Sequence, residues 1–213
     1  MADFPFDIVG FDLDGTLVDS AGDLAAAVNH ALSAAGRPPF AVEQIRPMIG
    51  GGARLMLQTA LRASGGDEQL DALLPVLLAY YEANIAVTTR PFPGVTAALD
   101  ALAARGVTLA IVTNKRERFT DLLLGELGLT DRFACIISGD TIPGKAKPDP
   151  EPIVEMIRRC GGGRAAFVGD SRYDVEAARA AGVPVAVFGQ DALGDAAFGD
   201  YRHLIPKLES LAQ

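Results

Sequence analysis

Phe6, Ile8, Val9 and Phe11 form a short apolar run, β-branched and aromatic in part, that Gly15 closes. A run of that length reads as a buried strand ending in a loop. After Ser20 the period changes. Leu24, Ala27, Val28, Ala31, Leu32 and Ala35 recur at helical spacing, with Ser20 at the N-cap position and Gly36 as the stop. Arg37-Pro38-Pro39 then breaks the chain, and from Val42 to about Val87 only helical patterns occur, over 42–49, 53–63 and 67–84, with Pro75 marking a kink or a boundary. From Pro91 onwards two periods alternate. A helix runs through Leu99 and Leu102 to a stop at Gly106, and strands over 107–113, 134–138, 165–169 and 183–188 are separated by helices over 117–127, 150–160 and 173–181. A short helix over 201–211 closes the chain.

Strands alternating with helices predict an α/β fold with a doubly wound parallel sheet and right-handed crossovers. A helical block inserted after the first strand, before that alternation resumes, reads as a small α-helical cap domain. The predicted division is therefore a core of residues 1–19 and 90–213, with residues 20–89 as the cap. Sheets of this kind bind ligands beyond the carboxyl ends of their strands, so those ends are where chemistry is sought.

Composition narrows the choice of partner. Of 213 residues, 49% are hydrophobic and 22% charged, an ordinary budget for a folded core. The formal net charge of -8 opposes a nucleic-acid or anionic-membrane partner, since both need a basic surface. An anionic small substrate would need positive charge concentrated locally, from a metal and a few lysines. Cys135 and Cys160 stand far apart in sequence, outside any CxxC pattern, which predicts reduced thiols, a cytoplasmic setting and no thiol nucleophile. The amino terminus lacks a basic region followed by a long apolar one, and no stretch approaches 18 apolar residues, so export and membrane spanning are not expected. A monomer or a homodimer is expected.

At the first strand end stand two carboxylates, Asp12 and Asp14. Two like charges held close raise each other's pKa unless a cation or donor intervenes, so a functional site explains the pair better than an acidic turn does. With Leu13 between them, they converge only if the backbone turns there, as Gly15 permits. The strand 107–113 delivers Thr113 and Asn114, a hydroxyl and an amide that suit phosphate oxygens but also ordinary turn chemistry. Beyond strand 134–138 come Lys145 and Lys147, either of which would neutralise an anion. The strand 165–169 leads into Gly169-Asp170-Ser171-Arg172-Tyr173-Asp174, where acids four positions apart either hold one cation or cap a helix. Within the cap, Gly50-Gly51-Gly52-Ala53-Arg54 opens a helix and reads either as a turn or as an anion-binding terminus; without Gly-Lys-Ser/Thr it is no P-loop.

Phe11-Asp12-Leu13-Asp14-Gly15-Thr16-Leu17-Val18-Asp19-Ser20 resembles the first motif of the haloacid dehalogenase-like superfamily of phosphatases and phosphomutases. Thr113-Asn114-Lys115, Lys147-Pro148 and Gly169-Asp170-Ser171-x-x-Asp174 resemble its second, third and fourth motifs, in the same order and each after an expected strand. The likeness covers nearly the whole chain. Through Phe92-Pro93-Gly94-Val95 and Lys147-Pro148-Asp149-Pro150 it is closest to the phosphoglycolate phosphatase group, whose cap loops are similarly glycine-rich. A departure follows Phe188, where Gly-Gln-Asp-Ala-Leu-Gly replaces a more glycine-rich tail. His30 and His203 fall outside every motif and read as surface or packing residues.

The resemblance implies a Rossmann-like core and a covalent route, in which Asp12 attacks phosphorus and forms an aspartyl-phosphate. Asp14 would protonate the leaving oxygen and then deprotonate water, a role that calls for a raised pKa. Mg²⁺ would be held by the Asp12 carboxylate, the Asp14 carbonyl and Asp170, with Asp174 in its outer shell or orienting a water. Thr113, Asn114 and Lys147 would hold the phosphoryl oxygens, and Arg54 would approach the substrate from the cap. The implied substrate is a small phosphorylated metabolite, foremost 2-phosphoglycolate. The rivals are a phosphomutase resembling β-phosphoglucomutase, a phosphatase for another sugar phosphate or pyrophosphate, and a catalytically silent binding protein. A metal-free dehalogenase would have no use for Asp14 as a proton donor.

Overall fold

The computed structural model describes residues 4–189 and 193–212. In chain order the elements are β1 (Ile8–Phe11), β2 (Val18–Asp19), α1 (Ala21–Ala34), α2 (Val42–Ile45), α3 (Ala53–Ala63), α4 (Leu70–Ala83), β3 (Arg90–Pro91), α5 (Val95–Ala103) and β4 (Thr108–Val112). There follow α6 (Glu117–Glu126), β5 (Cys135–Ile137), α7 (Glu151–Arg159), β6 (Ala165–Gly169), α8 (Arg172–Ala180), β7 (Val185–Phe188), β8 (Ala196–Phe198) and α9 (Leu204–Ser210). Short 3₁₀ turns extend α2 over Arg46–Met48 and precede α9 over Tyr201–His203.

Six strands form one sheet in the order β5-β4-β1-β6-β7-β8, every pair parallel. β1 lies inside the sheet, paired with β4 from Ile8↔Thr108 to Phe11↔Ile111 and with β6 from Ile8↔Ala165 to Phe11↔Val168. Every residue of β1 and β6 is buried, which is why these strands read as continuous apolar runs rather than alternating ones: helices cover both faces. One face packs Val9, Phe11, Leu99, Leu102 and Leu123 into a large cluster; the other packs Ile8, Val112, Ile153, Met156 and Phe167.

Between β2 and β3 the chain is helical. α1 and α3 pack against α4, with Leu24, Val28, Ala31, Leu57, Leu61, Leu73 and Leu77 buried among them. Pro75 sits inside α4 without ending it. Ser20 occupies the N-cap position of α1, but its side chain makes no capping bond. Three short strands were not foreseen. β8 adds a sixth strand beside β7, and β2 pairs antiparallel with β3 through Val18↔Pro91 and Asp19↔Arg90 where the chain leaves and rejoins the sheet. Of the departure from the usual tail, residues 190–192 lie outside the described residues, as do 1–3 of the amino terminus. Among the described residues no helix is long and apolar enough to cross a membrane.

Candidate active site

Three adjacent strands end side by side, and each delivers polar residues at its carboxyl end. β1 runs into Asp12 and Asp14, β4 into Thr113, Asn114 and Lys115, and β6 into Asp170, with Asp174 in the first turn of α8. Lys147 reaches the same place from the loop between β5 and α7. The backbone turns at Gly15, with φ 87°, and a Cβ there would stand 2.3 Å from an Asp170 carboxylate oxygen. Glycine is thus required twice over, by a conformation that L side chains resist and by the approach of the loop to Asp170.

Asp12 is 3% exposed. Its Oδ1 lies 3.0 Å from Lys147 Nζ, an ion-pair contact without hydrogen-bond geometry, so this buried oxygen has no hydrogen-bond donor. Lys147 spends its donors on the Val112 carbonyl at 2.7 Å and on Asp174 Oδ1 at 2.6 Å. Burial pushes the Asp12 carboxyl up to about 6; Lys147 pulls it down, and the neighbouring Asp174 pushes it up again. Burial acts to lower Lys147, yet Asp12 and Asp174 together hold it above the ordinary lysine range. Asp170, pushed well up by burial and by Asp174 and Asp12, accepts one hydrogen bond, from the Thr16 hydroxyl at 2.8 Å.

Asp174 takes the capping role of its motif and also meets a lysine. Its Oδ2 accepts the Asp170 and Ser171 amides at 3.2 and 2.9 Å and the Ser171 hydroxyl at 2.6 Å, a capping arrangement, while Oδ1 holds Lys147. Asp12, Asp170 and Asp174 each present a carboxylate oxygen within 4.8 Å of the others, which makes them the candidate cation site. The Asp14 side chain is not in that group. Its two oxygens lie 2.9 and 2.7 Å from the ammonium of Lys115, so its direct partner is a cation and not the neighbouring carboxylate expected from the sequence.

A cavity of about 310 Å³ opens over these groups. The sheet side supplies Asp12, Asp14, Thr113, Lys115 and Lys147; the helical block supplies the loop Gly50–Arg54 and Tyr81. The Thr113 hydroxyl accepts the Lys115 amide at 3.2 Å and keeps its own proton to donate. Asn114 sits at the rim, where its NH₂ donates to the Gly50 and Lys147 carbonyls at 2.8 Å each; it ties the glycine loop to the lysine loop in this conformation. Arg54 stands at the mouth, paired with Asp71 at 2.7 Å, both largely exposed. Lys145 pairs with Asp149 on the surface.

Sequence reasoning alone assigns no role to Lys115, Tyr81 or Thr16. Lys115 had a signal, being the third residue of Thr113-Asn114-Lys115. Thr16 had the same kind of signal, as part of the first motif, whereas Tyr81 lies in a predicted helix with nothing in the sequence to single it out. His30 stacks on Tyr80 with ring centroids 4.4 Å apart and His203 is exposed, both away from the cavity. Cys135 and Cys160 are free, and burial raises both thiols, Cys160 to about 11, which suits neither to attack.

Comparison with known proteins agrees with this arrangement. The profile of the haloacid dehalogenase-like hydrolase family matches residues 9–188. "Phosphoglycolate phosphatase 1" of Pseudomonas aeruginosa is 45% identical over 183 residues, which are 83% of this chain and 66% of that protein. The phosphoglycolate phosphatase of Agrobacterium fabrum is 44% identical over 179 residues, 82% of this chain and 76% of that one. The chain therefore spans about two thirds to three quarters of the length of these relatives. Among solved structures, a predicted phosphoglycolate phosphatase from Haemophilus somnus superposes with a TM-score of 0.85 at 29% identity, over 95% of this chain and 97% of that one. A candidate β-phosphoglucomutase from Thermotoga maritima, at 22% identity and a TM-score of 0.74 over 96% and 99%, shares the fold. With four motifs at the ends of adjacent parallel strands and a family profile spanning most of its length, the chain belongs to the haloacid dehalogenase-like hydrolases.

Proposed function

We propose that this protein is a Mg²⁺-dependent phosphatase that hydrolyses 2-phosphoglycolate to glycolate and phosphate through an aspartyl-phosphate on Asp12. The observation that carries the reading is the buried Asp12 carboxylate, whose Oδ1 lies beside Lys147 with no hydrogen-bond donor, at the edge of a cavity large enough for a small ester. A buried carboxylate that shares one ammonium with a second carboxylate and stands beside a third is costly as architecture alone. The phosphoglycolate phosphatases that this chain resembles support the substrate.

The residues fit the implied cation. Asp12, Asp170 and Asp174 offer oxygen only, the donor set that a small hard divalent ion prefers, and among the described site residues just two ammonium groups face four carboxylates. Asp12, Asp170 and the Asp14 carbonyl would hold Mg²⁺, with Asp174 behind them; bound there, the ion offsets negative charge on the phosphoryl oxygens.

In the first step an Asp12 oxygen attacks phosphorus, the bond from phosphorus to the glycolate oxygen breaks, and Asp14 gives its proton to that leaving oxygen. In the second, water attacks the phosphorus of the aspartyl-phosphate, Asp14 takes a proton from that water, and Asp12 leaves as a carboxylate. Lys147 and the Thr113 hydroxyl donate to the phosphoryl oxygens in both steps, where fixed donors cost no reorganisation. Asp174 holds Lys147 in place. We assign residues 20–89 to a cap that excludes water and selects the leaving group, with Arg54 at its mouth on the substrate's path. The test is a comparison of kcat/KM for 2-phosphoglycolate, β-glucose 1-phosphate, other sugar phosphates and pyrophosphate, with and without Mg²⁺. A higher value for a sugar phosphate, or turnover that needs a bisphosphate activator, would replace this reading by a sugar phosphatase or a phosphomutase.

A further inference from the structure

We propose that Lys115, together with Tyr81, is the anchor for the substrate's carboxylate, and that Asp14 occupies this anchor until the substrate displaces it. The inference rests on the phosphoglycolate reading above and supplies the recognition element that the core motifs leave out.

Four observations converge on it. First, Lys115 is buried, yet it belongs to the cavity wall, and the acid that neutralises it is Asp14. Both Asp14 oxygens sit on the ammonium, at 2.7 and 2.9 Å, so the group assigned to proton transfer has its oxygens engaged elsewhere. Second, the ring of Tyr81 covers the ammonium at 4.7 Å from above, so the charge is enclosed between sheet and helical block. Third, Tyr81 lines the same cavity, and its buried hydroxyl lies beside Lys115 without making a hydrogen bond of good geometry. A buried hydroxyl without a good hydrogen bond is costly unless a ligand satisfies it. Fourth, the other lysine of the cavity, Lys147, already faces Asp12 and Asp174 and is committed to the phosphoryl end. A dianionic phosphoryl group at Lys147 with a carboxylate at the far end needs a second cation, and Lys115 is the buried one the cavity offers.

The exchange is one of ion pairs and hydrogen bonds. The incoming carboxylate takes the Lys115 ammonium and the Tyr81 hydroxyl proton as donors. Asp14, losing its partner, takes up one proton from solvent, turns to the ester oxygen and delivers that proton to it as the bond to phosphorus breaks. A phosphate ester without a second anionic group has nothing with which to displace Asp14, so it is bound without releasing the acid. Selectivity therefore shows in kcat as well as in KM. An acid withheld until the correct ligand arrives is induced fit at the scale of one side chain.

The experiment compares 2-phosphoglycolate with ethyl phosphate, which has a methyl group where the carboxylate stands, in the Mg²⁺-loaded wild type and in Lys115→Met, Lys115→Arg and Tyr81→Phe. Losing a charge-assisted partner corresponds to about 10- to 100-fold, so Lys115→Met should lower the ratio of the two kcat/KM values by at least tenfold. Lys115→Arg should restore most of the ratio, and Tyr81→Phe should lower it severalfold. If Lys115→Met reduces both substrates by the same factor, Lys115 only supports the fold and the proposal fails. If Lys115→Met does not fold, Tyr81→Phe decides, since it removes one hydroxyl and leaves the ring in place; an unchanged ratio there overturns the anchor. Failure of the phosphoglycolate reading is distinguishable, because wild type would then prefer another ester.

Discussion

Asp23 is a buried carboxylate that no cation touches, and its removal should destabilise the fold by a predictable amount. The residue, in the first turn of α1, is 4% exposed. It accepts the Thr88 amide at 3.0 Å on both oxygens, the Thr88 hydroxyl at 2.7 Å, the Thr89 amide at 2.9 Å and the Thr89 hydroxyl at 2.7 Å. These bonds join the start of the helical block to its end, just before β3. In Asp23→Ala all four donors lose their acceptor. Thr88 is exposed and can turn to water, whereas Thr89 is fully buried and cannot. Two stranded buried donors, each costing about 1–3 kcal/mol, give a loss of about 2–6 kcal/mol. That is a large part of a typical stability of about 5–15 kcal/mol. Asp23→Asn, which keeps one acceptor oxygen, should lose less.

The assay is urea denaturation followed by circular dichroism, read as a lower midpoint at unchanged slope. The pH dependence gives a second readout. Burial alone would raise the Asp23 carboxyl, but the Thr89 and Thr88 bonds outweigh it and hold the group below its ordinary value of 3.8. A carboxyl with a depressed folded-state pKa contributes stability above its unfolded value, and that contribution disappears as pH falls through the folded value. The gap between wild type and Asp23→Ala should therefore be full at neutral pH and narrow below about pH 4. A loss under about 1 kcal/mol at neutral pH, or a gap that stays constant into acid, would refute the argument that ionised Asp23 anchors both ends of the block.

Chelation should abolish turnover and added Mg²⁺ restore it; full activity in chelator would rule out the cation assignment. Because burial pushes Asp12 up to about 6 in the free protein, protons and cation should compete there, and calorimetry should show Mg²⁺ affinity weakening as pH falls through about 6. Asp12→Asn should eliminate both turnover and the acid-stable phosphoenzyme, whereas Asp14→Asn should slow proton transfer by about 10²- to 10⁴-fold; equal mild losses would contradict the division of roles. Replacing residues 20–89 by a short linker should spare hydrolysis of reactive aryl phosphates and erase discrimination among small esters, and discrimination that survived would remove the cap from that role.

The sheet was legible because its strands are buried on both faces and their apolar runs end in polar residues that have nowhere else to go. Asp12, Thr113 and Asp170 each follow such a run directly, so their convergence follows from parallel pairing alone. β8 was not legible for the opposite reason. Ala196-Ala197-Phe198 is three residues long, holds one large apolar side chain and pairs on one side only, so neither length nor period marks it. β2 and β3, two residues each, pair Asp19 with Arg90 and Val18 with Pro91, 71 and 73 positions apart, and leave no periodic trace.

The ion pairs of the site show a stricter limit. Lys115 and Asp14 are separated by 101 positions, and a lysine following Thr113-Asn114 reads as well on the surface as in a cavity. What the sequence does carry is a count of charges. Asp12, Asp14, Asp170 and Asp174 meet Lys147 and Lys115, so with every group ionised the site is short of two positive charges. Burial lowers the local dielectric and makes that shortfall costly, and the upward shift of the Asp12 and Asp170 carboxyls expresses it. A divalent cation relieves the same shortfall without protonating the nucleophile. The overall charge of -8 is matched locally by carboxylates whose partners are two lysines and the fixed donors around them, and the proposed divalent cation would supply the positive charge they still lack.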